Sequence, residues 1–335
     1  MATRDLLQNS KKAFKDADKI ISFTSSELIK SYDRALKDIR AELVRLYEAY
    51  LPTGELTKAQ LTQFVRLSGV QESIVNIMQP YLDSNKELLK DMASMSLDTG
   101  YFDSGWAIDQ ASGVSLSWGL VDDTAVRAAV GIGGNGNELI GVMSTKEIDK
   151  HIKILTKAFK NYDADSQKWI SEEIRQGIIK GDSIPVITKR LDTDTMIKIK
   201  GSAERIARTE ILRATGIGQQ IGYNEAIDQG VQLTQVWDAS LDGSTRPSHA
   251  AADGEKMNNT TGMFSVFGMQ VPGPRRSGIA SEDINCRCSV TAEVEGYSPE
   301  LRRIRDEGLV PYKTFKTWAS EKGLTVNRYG QKYDF

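Results

Sequence analysis

Between residues 29 and 50, apolar side chains recur three and four positions apart: Ile29, Tyr32, Leu36, Ile39, Leu43, Leu46 and Tyr50. That spacing puts them on one narrow stripe, and it predicts one long helix or two short ones over residues 5–50. A stripe of this width suits a coiled coil, or a helix packed within its own domain. Pro52-Thr53-Gly54 ends the segment. Thr57-x-x-Gln60 then has the form of a capping box. Residues 70–97 read as helical with an interruption near Pro80, whereas 98–118 are rich in Gly, Ser and aromatics and show no clear period. A short helix is expected over 122–130.

The second half is more regular. Ser144-x-x-Glu147 forms another capping box, and Ile148, Ile152, Leu155 and Phe159 follow at helical spacing. Residues 165–180 and 184–191 read as two further short helices. Residues 195–229 read as a long one, with Ile199, Ala203, Ile206, Ala207, Ala214, Ile217 and Ile221 on its apolar side. After Gly230 the period falls to two. Val231–Ser240 and Arg287–Glu295 both alternate like strands, the latter with Cys288, Val290, Ala292 and Val294 on one face. Asp242-Gly243 is a turn signal, and a Gly/Pro-rich excursion occupies residues 254–281. Pairing the two strands makes a small antiparallel sheet spanned by a long loop. The tail, 296–335, is basic and aromatic, with one helix expected over 311–322. The fold class is therefore α+β: a predominantly helical N-terminal part, then helices joined to a small antiparallel sheet.

Composition narrows this picture. At 335 residues the chain has room for two or three domains. The boundaries expected are 1–140, 141–295 and 296–335. Hydrophobic residues make up 40% and charged residues 26%, the balance of a globular protein. No apolar run approaches the ~18–20 residues of a membrane span, and MATRDLLQNSKKAFKD has no apolar core like that of a secretory signal. Two cysteines suit a reducing compartment, so a soluble protein made in a cytoplasm is expected. Lysine and arginine exceed acidic residues 14 to 11 in segment 139–212 and 8 to 5 in the tail, too slight an excess to announce nucleic acid by itself. GIGGNGNELIG, residues 131–141, lacks both a β-α-β context and a following Gly-Lys-Ser/Thr. It reads as a linker rather than a phosphate loop.

The chemistry concentrates near the end. Cys286 and Cys288 point to one side of an extended chain, with Cα atoms about 6.6 Å apart, near the upper limit for a disulfide. His249 follows the turn after the partner strand and could bring an imidazole to both thiols. Zinc held by His249, Cys286 and Cys288, with Asp242, Asp253 or water as fourth ligand, is one reading. The bland one, which we favour, makes the cysteines small buried hydrophobes and His249 a loop-tying hydrogen bonder. A Cys–His nucleophile is disfavoured, because nothing marks a helix N-terminus that would lower the thiol pKa. The adjacent carboxylates Asp122-Asp123 and Glu172-Glu173 do not face one another.

Four stretches in order carry a resemblance: ERIARTEILRATGIGQQIGYNEA (204–226), VWDASLDGSTRPSHAAADGE (236–255), FSVFGMQVPGP (264–274) and EDINCRC (282–288). Together they resemble the bacteriophage head-morphogenesis family, the Mu F-like minor head proteins, over about residues 144–295. The resemblance implies a structural, non-enzymatic virion protein inside the head near the portal vertex, assembled in the host cytoplasm. Its implied partners are the portal protein, other capsid or scaffold proteins and packaged double-stranded DNA bound without sequence reading, with no membrane in the mature particle. It brings no catalytic residues and no cofactor. Its motif residues are expected to build a scaffold. Trp237 belongs to the motif, and Arg208 and Glu210 would lie on the helix covering the sheet, where a buried arginine–carboxylate pair needs exact partners. Arg246, His249 and Asn285 would tie down a loop that lacks a hydrophobic core of its own, and Asp242 belongs to the same motif. The helical N-terminal half, with its seam at 29–50, is the candidate for docking to a portal or for self-association. The alternatives are a metal-dependent hydrolase or nuclease built on His249, Cys286 and Cys288, and a toxin or transferase. Metal content separates the first, and the ~40 residues after the module are few for an added catalytic domain.

Overall fold

The seam predicted on the first helix is a buried one. In a computed structural model that describes residues 12–50, 69–112, 116, 145–180, 182, 184–294, 301–304 and 308–311, helix α1 runs Lys12–Tyr50 without a break. Tyr32, Leu36, Ile39, Leu43 and Leu46 are all buried in one core, and Ile29 packs against it half-buried. Of the two readings of the stripe, packing within its own domain holds, and the idea of an exposed docking stripe is corrected. Aliphatic groups at that spacing bury against neighbouring helices before any partner arrives.

Four more helices follow: α2 (Val70–Ser112), α3 (Thr145–Lys180), α4 (Ile184–Arg190) and α5 (Met196–Asp228). A single π turn, Leu191–Thr195, joins α4 to α5. Three expectations change here. Pro80 lies inside α2 instead of interrupting it. Proline removes one helix hydrogen bond, yet Met78 and Leu82 on either side are both buried in the core, which holds the helix through it. The stretch after residue 98 is helical as far as Ser112, because Leu97, Tyr101, Ser104, Ile108 and Ala111 make a regular buried face whose small residues conceal the period. Residues 165–180 are the end of α3 rather than a separate helix.

The described chain forms two compact units, each discontinuous in sequence. One comprises residues 21–91 and 153–207. Its core joins the α1 seam to Met78, Leu82, Leu89, Tyr162, Ile170, Ile174, Ile199 and Ala203, and Tyr32 meets Tyr162 edge to face with ring centres 5.6 Å apart. The other comprises 1–20, 92–152 and 208–335, and it holds the predicted sheet. Strand β1 (Leu233–Asp238) pairs antiparallel with β4 (Ser289–Val294), Leu233 opposite Val294 and Trp237 opposite Val290. Between them lie α6 (Pro247–Ala252), the hairpin of β2 (Phe264–Val266) and β3 (Met269–Val271), and the short α7 (Ala280–Asp283). Strands β5 (Leu301–Ile304) and β6 (Gly308–Pro311) form a second hairpin that the sequence pattern did not show. Pro311, expected to open a tail helix, ends β6 instead. The α+β class holds. Among the described residues no helix is long and apolar enough to cross a membrane.

Several expectations lie outside the described residues: the capping box at 57–60, the helix at 122–130, the 131–141 loop, the rest of the tail and the side chain of Tyr50. The domain boundaries expected at 140 and 295 fall there too.

Within the sheet-bearing unit, α2 and α5 meet backbone to backbone. A Cβ on Gly218 would collide with the Leu97 carbonyl, one on Gly100 with the Thr215 carbonyl, and one on Gly222 with the Ser104 hydroxyl. Gly218→Ala is therefore expected to destabilise the protein by about 1–3 kcal/mol, the usual size of an overpacking effect. Urea unfolding checks it, and an unchanged midpoint would refute the close crossing.

In the other unit, burial and then the nearby Asp83 charge push the Asp163 carboxyl up to about 7. An unfolded aspartate titrates near 4. Between those values the folded state keeps a proton that the unfolded state has lost, so stability falls as pH rises from about 4 to 7 and then levels. Asp163→Asn is expected to abolish that decline in thermal unfolding midpoints measured across the range.

Candidate functional site

Trp237 anchors the site. It is fully buried on β1, and its ring meets Phe264 and Phe267 edge-on, with centres 5.4 and 5.6 Å away. Beyond the β1 edge the chain turns back. Gly254 donates its N–H to the Trp237 carbonyl and Trp237 donates to that of Glu255, each at 2.8 Å. Buried Asp253 accepts the Ala239 N–H at 2.9 Å. These bonds tie the C-terminal end of α6, the helix that carries His249, to β1.

His249, Cys286 and Cys288 converge. One ligand-type atom of each lies within 4.8 Å of the others, and all three residues are buried. His249 Nδ1 is 3.3 Å from Cys288 Sγ, and Nε2 is 2.9 Å from a carboxylate oxygen of Glu282. A carboxylate only accepts, so Nε2 carries the proton and the Nδ1 lone pair faces the thiol. Phe267 lies against the imidazole, with ring centres 5.0 Å apart. Both cysteines are free thiols. The hydrogen bond from the Cys288 thiol, reinforced by His249 and the Arg275 charge, holds the Cys286 thiol well below its ordinary range against the effect of burial. Cys288, which keeps the shared proton, is pushed up. A partly open cleft beside the three residues is also lined by Ser240, Ser244 and Thr245.

Arg275 organises this corner from beneath. Its guanidinium is fully buried and donates through Nη1 to the carbonyls of Cys286, at 3.0 Å, and Cys288, at 2.7 Å. Its backbone has φ of 63°, a left-handed conformation that a long side chain rarely adopts. Arg213 on α5 holds it there, donating Nε to the Arg275 carbonyl at 2.8 Å, and Arg213 is itself paired with buried Glu210. Next along the chain, Arg276 donates to Gln220 and to the Pro272 carbonyl. Asp283 accepts the N–H groups of Ser277 and Gly278, both at 2.9 Å. The stretch 272–283 is thus held by charged hydrogen bonds, beside the apolar cluster that Phe264, Val266 and Val271 of the same loop form with Trp237.

Most of the predicted residues meet here, in altered roles. Asp242 takes a two-pronged bond from Arg287, one arm at 2.6 Å, which holds its carboxyl below the usual range. Neither Asp242 nor Asp253 joins the three-residue cluster. Arg246 donates to the Ile284 carbonyl at 2.6 Å, tying the loop as expected. Asn285 does so through its backbone: its side chain is exposed, its φ is 57°, and its N–H donates to Thr209 Oγ1 at 3.2 Å. Asparagine tolerates that left-handed turn better than most residues. Arg208 is exposed, so the buried pair on α5 is Glu210 with Arg213, one helical turn on. Sequence reasoning misses Arg213, Gln220, Arg275, Arg276 and Glu282. The adjacent arginines in PGPRRSG were the available signal, since two cations set among glycine and proline have no helix or strand face to occupy.

Residues 168–291 match the family described as Phage Mu protein F like protein. The chain carries a Mu F-like domain. That domain contains α5, the whole loop and the first part of β4, and hence every residue of the site. Two relatives are similar over most of the chain. The Minor head protein GP7 of Bacillus phage SPP1 is 25% identical over 325 residues, covering 94% of this chain and 98% of that protein. A protein of Enterococcus faecalis named NAD(+)--arginine ADP-ribosyltransferase EFV is 27% identical over 301 residues, covering 89% of this chain and 57% of that protein's length. No solved structure matches.

Removing the Glu210 charge leaves the Arg213 guanidinium buried and uncompensated. Glu210→Gln is expected to lower stability by about 3 kcal/mol, the low end for breaking a buried ion pair. Guanidinium unfolding measures it. A loss under about 1 kcal/mol would mean that the pair does not hold the Arg275 loop.

Proposed function

We propose that this protein is a structural minor component of a tailed bacteriophage head, seated at the portal vertex and assisting assembly, packaging or delivery of DNA. The observation that carries this reading is the end-to-end similarity to a minor head protein, which spans nearly the full length of both chains. The Mu F-like domain supports it, because its polar residues are spent on holding a loop rather than on presenting reactive groups to solvent. His249, Cys286 and Cys288 are each at most 2% exposed. That burial favours architecture over turnover, and thus a non-enzymatic role over the hydrolase alternative. Nothing in the site favours carrying over the activity in the Enterococcus protein's name, which belongs to a chain of which this one spans little more than half.

With the α1 seam used up in its own core, portal docking falls to other surfaces of the helical N-terminal region. Contact with packaged DNA would run through phosphates, and its signature is affinity that falls as salt rises. The test is direct. Heads purified from an infection with the phage encoding this chain are expected to contain it in a few copies, and cross-linking is expected to join it to the portal ring. Heads that lack the chain would overturn the structural role. Cross-links to the shell alone would overturn the vertex position.

A further inference from the structure

We infer that His249, Cys286 and Cys288 form a binding site for one zinc-class ion that staples α6 to the start of β4. Two thiols and an imidazole are the ligand set of a tetrahedral zinc centre, in which ligand atoms lie about 3.5–3.8 Å apart. Here all three atoms sit within 4.8 Å of one another, and the His249–Cys288 separation is 3.3 Å. Shifts of about an ångström complete the geometry.

The surroundings point the same way. A zinc-bound histidine usually donates its other ring N–H to a carboxylate, which fixes the tautomer and the ring plane. Glu282 accepts from His249 Nε2 at 2.9 Å, leaving Nδ1 aimed at the sulfurs. The Arg275 guanidinium donates to the carbonyls of both cysteines and so fixes the chain that carries them. The cleft bordered by these three residues admits water as fourth ligand. The ligands come from segments about 40 positions apart, 249 and 286–288. Metal binding would therefore cross-link the two ends of a loop, and its free energy would add to that of folding. This inference is independent of the virion role.

The experiment uses the full-length, reduced chain, stripped with chelator and titrated with Co²⁺ alone and then with Zn²⁺. One Co²⁺ per chain is expected, with a thiolate-to-cobalt charge-transfer band that Zn²⁺ abolishes by displacement. Zn²⁺ is also expected to raise the thermal unfolding midpoint. Cys286→Ser and Cys288→Ser should each weaken the band and the affinity. Glu282→Gln should weaken affinity about 10–100-fold, as loss of an outer partner does. If the serine variants do not fold, X-ray absorption on the zinc-loaded parent decides. Two sulfurs and one imidazole support the site, and any other protein ligand set overturns it. Absence of the charge-transfer band, or binding unchanged in His249→Asn, would also overturn it.

Discussion

Buried arginines close the sheet-bearing unit, with Arg275 at their centre. Arg275 sends its guanidinium under residues 286–288 and holds their carbonyls, while its own carbonyl is held by Arg213, and Arg213 by Glu210. Each of these groups is buried. A lone charge in that position would be strongly destabilising. Glu210 compensates Arg213, whereas Arg275 is held through Nη1 by the two cysteine carbonyls, with its Nε and Nη2 buried without a hydrogen-bond partner among the described residues. The left-handed backbone at Arg275 is the strain that this network sustains.

The rest of the corner depends on that closure. With the loop pinned to α5, β4 enters beside β1 in a register that puts Val290 opposite Trp237. The aromatic cluster of Trp237, Phe264 and Phe267 then fills the space beneath the hairpin, and His249 comes to lie against Phe267 with its imidazole toward the thiols. On the far side of α5, glycines at 218 and 222 let α2 approach to backbone contact. This helix is therefore buried almost all round between residues 209 and 223, which explains why its polar residues are paired inward rather than solvated.

Periodicity gave a sound account of the elements that bury one apolar face. The α1 seam, the α5 stripe and the two alternating strands behaved as their spacing implies, and the antiparallel pairing of 231–240 with 287–295 followed from two half-buried ribbons needing each other. It failed where burial uses small residues. The α2 face of Gly100, Tyr101, Ser104 and Ala107 looks like a loop because glycine and serine are usually breakers, and only a neighbouring helix that approaches closely makes them core. Pro80 misled for the same reason, since tertiary packing outweighed one lost hydrogen bond.

The sequence by itself determined the α+β class, the long loop between two strands and the convergence of His249 with Cys286 and Cys288, because alternation and a turn at Asp242-Gly243 constrain where those residues can go. What only the tertiary structure decided was the set of partners. Arg208 and Arg213 are both arginines on α5, five residues apart, yet one is exposed and the other is buried against Glu210 and the Arg275 carbonyl. Asp242 and Asp253 were both plausible ligands, and each was taken by a closer donor. Spacing says which side of an element a residue occupies. A charged group's partner depends on which atoms a distant segment brings within hydrogen-bonding reach, and that is settled only when the chain closes.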